Sequence, residues 1–230
     1  MLIWTPDTVR FRRDAAQYGT YYKELAAHLA AYLPSDAHVC DAGCGPGDLS
    51  RALAPYCKRV TAIDSSALAL TALRGDAPEN IEIREADIFT LSPVERYDAM
   101  IFCFFAAMDD ALLLAKKHCR GKVILVKRGW TRHRFSPQGE AVRRDACAEA
   151  EQYLRIRGIP FSHETLTLDM GQPFRSKEDA VRFFAAYGNE AVTFSDVQAR
   201  LVKTDNAVFP YYLPQEKPLG IFIFDAKEIP

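Results

Sequence analysis

Three acidic residues recur at a constant interval, Asp41, Asp64 and Asp87, and each follows a short apolar run. The first is followed at once by Gly43, Gly45 and Gly47, with Pro46 between the last two, and then by a helical pattern. Glycines at such a strand-to-helix turn permit positive φ and remove the Cβ atoms that hold a ligand off the backbone. The N–H groups at the start of the next helix favour a polar or negatively charged ligand edge. A carboxylate at Asp64 can accept both hydrogen bonds of a ribose diol. One at Asp87 can accept from an exocyclic amine, while the N–H of Ile88 meets a ring nitrogen of the same base. Together these residues describe an adenosine pocket. The dinucleotide fingerprint G-x-G-x-x-G places its third glycine one residue later, against a pyrophosphate, so the shorter spacing here argues for a nucleoside without one. A nicotinamide-dependent oxidoreductase and a non-catalytic binding module stand as alternatives.

These residues need strands that end together. Apolar runs over 37–42, 59–64, 80–86, 97–105 and 122–127 read as five strands, separated by helical patterns over 48–56, 67–74 and 109–118. Such alternation indicates a parallel sheet wound by right-handed crossovers, with ligands at the carboxyl ends of the strands. The run at 97–105 is nearly continuous in apolar residues, which implies cover on both faces; the alternating 80–86 implies an edge. Ser66 is placed to cap the helix at 67–74, and Gly75 to close it as a C′ residue. Before the first strand, residues 20–33 repeat apolar positions at helical spacing, while residues 1–19 mix aromatic and basic types. Beyond Lys127 come a basic, aromatic segment at 128–134, a helix over 138–157, a strand at 164–169, a helix at 176–187 opened by Ser176, and a last strand at 219–224. The stretch 189–215 has no readable period.

The ordered motifs Asp41-Ala-Gly-Cys-Gly-Pro-Gly47, Val60-Thr-Ala-Ile-Asp64, Glu85-Ala-Asp87-Ile88 and Tyr97-Asp-Ala-Met-Ile101 resemble those of class I S-adenosylmethionine-dependent methyltransferases. The resemblance covers about residues 37–127. It implies an α/β, Rossmann-like, seven-stranded, mostly parallel sheet with helices on both faces and an antiparallel last strand. By the match, Asp41, Gly43 and Gly45 hold the methionine side of S-adenosylmethionine, Asp64 the ribose, and Asp87 with Ile88 the adenine, with Gly47 and Ser65 also in the cofactor set. Cys103, at the end of the fourth strand, completes the cofactor set, and S-adenosylhomocysteine is the product. The whole chain then reads as one domain: a helical lid at 1–36, a cofactor-binding core at 37–127, and substrate-side helices with the last two strands at 128–230. The two final strands are separated by an unusually long insertion.

The acceptor is less legible. Methyl-transferring relatives that act on nucleic-acid or protein amines often carry an Asp/Asn-Pro-Pro-Tyr/Phe motif at the end of the fourth strand. Cys103-Phe104-Phe105 stands there instead, which points to a small molecule. Tyr18, read as a turn residue before Gly19, Phe104 and His133 are the substrate-side candidates, and Arg128, Arg132 and Arg134 could hold an acidic substrate. Asp98 is read as ordering the start of the fourth strand. A formal net charge of −1 over 230 residues gives no electrostatic argument for broad nucleic-acid binding. No apolar run nears the ~20 residues of a membrane span, and the N-terminus lacks a signal-peptide pattern. Six cysteines without a C-x-x-C pair disfavour a zinc ribbon and fit a reduced cytoplasm. No metal is expected, and the sequence does not fix an oligomeric state.

Overall fold

The computed structural model describes residues 4–92, 96–130, 145–187 and 193–230. Two helices, α1 (Pro6–Tyr18) and α2 (Tyr21–Ala30), precede β1 (His38–Ala42). There follow α3 (Asp48–Leu53), β2 (Arg59–Asp64), α4 (Ala67–Arg74), β3 (Ile81–Glu85), β4 (Tyr97–Cys103), α5 (Met108–His118) and β5 (Cys119–Arg128). The second half adds α6 (Ala146–Ile156), β6 (Ser162–Asp169), β7 (Gln172–Phe174), α7 (Lys177–Tyr187), α8 (Phe194–Arg200), β8 (Val202–Lys203), β9 (Tyr211–Leu213) and β10 (Glu216–Asp225).

Seven strands form one sheet in the order β3-β2-β1-β4-β5-β10-β6. β10 pairs antiparallel with both β5 and β6, so the other six run in one direction. The order reverses between β1 and β4, and the crevice beyond their carboxyl ends is where open α/β sheets bind ligands. Side chains alternate between two cores. Val39, Ile101, Ile124 and Ile221 face Leu25, Leu29 and Leu53 on one side. Cys40, Phe102, Leu125 and Phe222 face Leu112 and Leu154 on the other. This double burial accounts for the apolar run of β4, and Ile81–Glu85 is an edge strand as its alternation implied. Asp98 ties the amino ends of β1, β4 and β5 together: its carboxylate accepts from the His38 N–H at 2.9 Å and from Arg120 Nε at 2.8 Å.

Several expectations change. Residues 6–18 form α1, which the mixed composition hid. Thr5 and Thr8 make a capping box and Pro6 starts the first turn, where its missing N–H costs nothing. Tyr18 is the last residue of this helix and not a turn residue. The helix after the glycine loop stops at Leu53 and tightens to a 3₁₀ turn over Ala54–Tyr56, because Pro55 lacks the N–H of an α-helical bond. Ser66 does cap α4, but Gly75 sits at φ −71°, a right-handed conformation, and is no left-handed C′ residue. In the helix expected over 138–157, the described part begins at Ala146. Asp145 caps it by accepting from the N–H groups of Cys147 and Ala148, both at 3.0 Å.

The insertion between β6 and β10 builds a second, three-stranded sheet, β7-β9-β8, with α7 and α8. Phe11 of α1 packs with Phe174, Phe183, Phe184, Val197 and Leu213 in a third core. Charge seals the contact. Arg10 donates to Asp179 at 2.6 and 3.1 Å, and Arg175 donates to Asp14 at 2.6 and 3.1 Å. The carboxylates are nearly buried, with side-chain exposures of 2% for Asp179 and 4% for Asp14. Among the described residues no helix is long and apolar enough to cross a membrane.

Candidate active site

The glycine loop leaves β1 with Gly43, Gly45 and Gly47 at φ 69°, 55° and 75°. The N–H groups of Gly43 and Cys44 donate to the Ile63 carbonyl at 2.9 and 3.0 Å, which pins the loop to β2. The Asp64 carboxylate completes the clamp. One oxygen accepts from the Gly45 N–H and the other from the Ser66 N–H, both at 2.8 Å. Each oxygen keeps a further lone pair, and the residue is half-exposed. Ser65 beside it is exposed. The glycines also admit close neighbours. A Cβ on Gly43 would lie 2.2 Å from the Phe105 ring, and one on Gly45 would lie 2.6 Å from the Trp4 ring. Trp4 was not singled out from the sequence; a tryptophan just before a helix cap was the only signal available.

Asp41 is buried beneath the loop, with one oxygen accepting from the Ser50 hydroxyl at 2.6 Å. Burial pushes its carboxyl up to about 6, against the pull of Ser50. Asp48, at the start of α3, is also raised to about 6 by burial, with Arg12, Arg13 and Arg51 working the other way. At the end of β3, Asp87 is exposed and one of its oxygens accepts from the Phe89 N–H at 3.0 Å. The Ile88 side chain is buried, while its N–H has no partner among the described residues. Phe89 is 40% exposed, with its ring 6.2 Å from that of Phe105. An exposed ring beside Asp87 and a free N–H forms a surface suited to a purine.

At the end of β4 the backbone turns through two left-handed residues that are not glycine, Phe104 at φ 55° and Ala106 at φ 62°. Such conformations cost about 1–3 kcal/mol each and cluster at functional sites. The bend separates two aromatic side chains. Phe105 turns onto Gly43, and Phe104 stands 36% exposed with its ring 5.9 Å from Trp130. The Lys127 ammonium is buried below the bend and donates to the Ala106 carbonyl at 3.4 Å; burial lowers its pKa. Cys103 is half-buried, and burial pushes its thiol up to about 12, so it is no nucleophile at neutral pH.

The structure therefore brings Asp41, the three glycines, Asp64, Ser65, Asp87, Ile88, Cys103 and Phe104 to the carboxyl ends of β1 to β4. It does not bring Tyr18 there. Trp4, at the start of α1, packs on Gly45, whereas Tyr18 ends the helix about 20 Å along its axis. The Tyr18 ring packs on Tyr212 and Phe209, at 5.0 and 5.8 Å between centroids. His133, Arg132 and Arg134 lie outside the described residues. Among the described residues no group of three or more His, Cys, Asp or Glu side chains could hold a metal ion.

Known proteins resemble this chain in part of its sequence and in its fold. The sequence model of a methyltransferase domain matches residues 39–120, the segment from β1 through the glycine loop and β4 to the start of β5. No curated protein matches the sequence. Among solved structures, the YcgJ protein from Bacillus subtilis is 12% identical with a TM-score of 0.54, covering 89% of this chain and 98% of its own. Precorrin 8w decarboxylase from Methanobacterium thermoautotrophicum is 16% identical, with a TM-score of 0.54 and 89% of each chain covered. An S-adenosylmethionine-dependent methyltransferase from Thiobacillus denitrificans, solved with S-adenosylhomocysteine, is 17% identical, with a TM-score of 0.53, covering 87% of this chain and 90% of its own. At these identities the structures share a fold with this chain. Residues 39–120 thus match a methyltransferase domain, and the sheet that carries them has the fold of these structures. The family match favours the methyl-transfer reading over the nicotinamide alternative.

Proposed function

We propose that the methyl acceptor is a small molecule, held between the end of β4 and the segments beyond β5 under a lid made by α1 and the β6–β10 insertion. The observation that carries the reading is the left-handed bend at Phe104–Ala106. It presents Phe104 and Trp130 as an open aromatic wall where relatives that methylate nucleic-acid or protein amines have a Pro-Pro motif. The chain is read as one such domain, with the lid in residues 1–36, the cofactor core in 37–127 and the acceptor side in 128–230. Its six free cysteines suit a reduced cytoplasm.

The residues fit the cofactor. Asp64 would accept from the ribose hydroxyls through the lone pairs left by its backbone bonds, Asp87 from the adenine amine, and the Ile88 N–H would donate to a ring nitrogen. The Gly43–Gly47 loop, with no Cβ atoms, would lie against the methionine portion, above the buried charge of Asp41. When bound, S-adenosylmethionine supplies a methyl carbon on a sulfonium, open to in-line displacement. The contribution of the chain is alignment and exclusion of water. Phe105 and Trp4 wall the loop, and Phe104 and Trp130 orient the acceptor. A base is required only if the acceptor arrives protonated. The test is release of S-adenosylhomocysteine across a panel of small phenols, amines, thiols and acids, compared with RNA and peptide substrates. Turnover confined to small molecules supports the reading; turnover confined to RNA or peptides contradicts it.

A further inference from the structure

A cavity of about 140 Å³ lies between α1, α2, the turn after β6 and α7, outside the set of cofactor residues. Its lining includes Arg12, Tyr21, Tyr22, Met170, Phe183 and Tyr187. Three arginines sit close together on α1, and two are neutralised. Arg10 pairs with Asp7, Asp14 and Asp179, and Arg13 with Asp48 and Asp76. Arg12 forms no ion pair among the described residues; the carboxylate that acts on it, Asp48, is paired with Arg13 and Arg51, and the Arg12 guanidinium stands over the Tyr22 ring, 5.4 Å from the centroid. The one carboxylate on the cavity wall, Asp169, is committed elsewhere. It accepts from the Gly171 and Gln215 N–H groups, at 2.9 and 3.0 Å, and from the Tyr212 hydroxyl. A guanidinium held in an aromatic pocket, with its nearest carboxylate shared among three arginines, is left with cationic character that an anionic ligand would offset.

We propose that this cavity binds the carboxylate of an aromatic acid, the acceptor, with Arg12 as its counter-ion and the tyrosine and phenylalanine rings around its body. The inference rests on the methyltransferase reading and deepens it. Two features assign the carboxylate to the acceptor and not to the methionine end of the cofactor. The far wall, Asp169 and Met170, comes from the end of β6, three positions from β4 in the sheet, whereas the cofactor residues sit on β1 to β4. The near wall, Tyr21, lies beside Cys103 at the end of β4, so the cavity borders the place where the methyl group would be delivered.

The test uses the full chain saturated with S-adenosylhomocysteine, and benzoate and its neutral isostere benzamide as probes in ligand-observed NMR titrations. A charge-assisted pair predicts that benzoate binds about tenfold more tightly than benzamide. Arg12→Gln should erase that preference while leaving S-adenosylhomocysteine affinity intact, and Arg12→Lys should restore part of it. Equal binding of the two probes to the unaltered protein, or no benzoate binding at millimolar concentration, overturns the proposal without need of a variant. Weakened S-adenosylhomocysteine binding in a folded Arg12→Gln protein also overturns it, since the carboxylate held there would be the cofactor's. Failure of the unaltered protein to bind S-adenosylhomocysteine is a different result and strikes the methyltransferase reading itself.

Discussion

Asp64 links the two halves of the cofactor cradle, because one carboxylate fixes both the Gly45 and the Ser66 N–H groups. Asp64→Ala removes two charge-assisted bonds and the proposed ribose contacts, so S-adenosylhomocysteine affinity should fall by about tenfold or more by calorimetry, given about 1.5–3 kcal/mol per bond to a charged group. Asp64→Asn keeps an acceptor oxygen and should lose less. Asp41 makes a pH prediction. Burial raises its carboxyl to about 6, as it does that of Asp48, above the ordinary value of a carboxylate. The folded protein therefore holds these protons longer than the unfolded chain, and both groups subtract stability as pH rises from about 4 through 6. A sulfonium nearby favours the ionised form. The preference for S-adenosylmethionine over S-adenosylhomocysteine should therefore increase between about pH 5 and pH 7. A ratio of affinities that stays flat across that range would contradict the placement of Asp41 beneath the methyl donor. The acids were legible in the sequence because their order along the chain repeats their order along the sheet edge. The aromatic rings on Gly43 and Gly45 were not, because Phe105 and Trp4 lie far from the loop in sequence and reach it only through the fold.

The elements that carry the acceptor side depend on contacts between distant segments. The paired carboxylates Asp14 and Asp179 join α1 to the start of α7, and for Asp179 burial opposes the charge while Arg10 holds it below the usual carboxylate range. Asp179→Ala takes two bonds from Arg10, which keeps Asp7 and Asp14, and one from Arg182. It should destabilise the protein by about 1.5–3 kcal/mol, read by urea unfolding. The lowered value of Asp179 also means that its contribution is present above the carboxylate range and is lost as pH falls through it. A second test concerns the bend after β4. Ala106 is held at φ 62°, and glycine there relieves a left-handed cost of about 1–2 kcal/mol against a smaller entropic loss. Ala106→Gly should therefore leave stability unchanged or raise it by up to about 1 kcal/mol, and a clear loss would show that the alanine methyl packs usefully. The strands β1, β2, β4 and β5 were readable from apolar runs because both their faces are largely buried, and β3 from the alternation of an edge strand. By contrast β8 and β9 have two and three residues and show no period, and α1 buries Phe11 against an insertion more than 160 residues away. Its Thr5-Pro6 start was the local signal that marked it.

At the scale of the whole molecule, the sheet order gathers the motif-bearing strand ends at the reversal between β1 and β4, where the cofactor site is proposed, and the proposal assigns the far half, β5 to β6, to the acceptor and its cover. The basic segment at 128–134 suggested an acidic substrate from sequence; Arg12, on α1, supplies a cation for one from the opposite end of the chain. That arrangement needs the cofactor core to work first. The most direct measurement is a calorimetric titration of the full chain with S-adenosylmethionine and S-adenosylhomocysteine, with NADH as a control. The account predicts one-site binding of both adenosyl ligands, saturating below millimolar concentration, weakened by Asp64→Ala, and no binding of NADH. An absence of heat and of any thermal stabilisation at millimolar S-adenosylhomocysteine would contradict it.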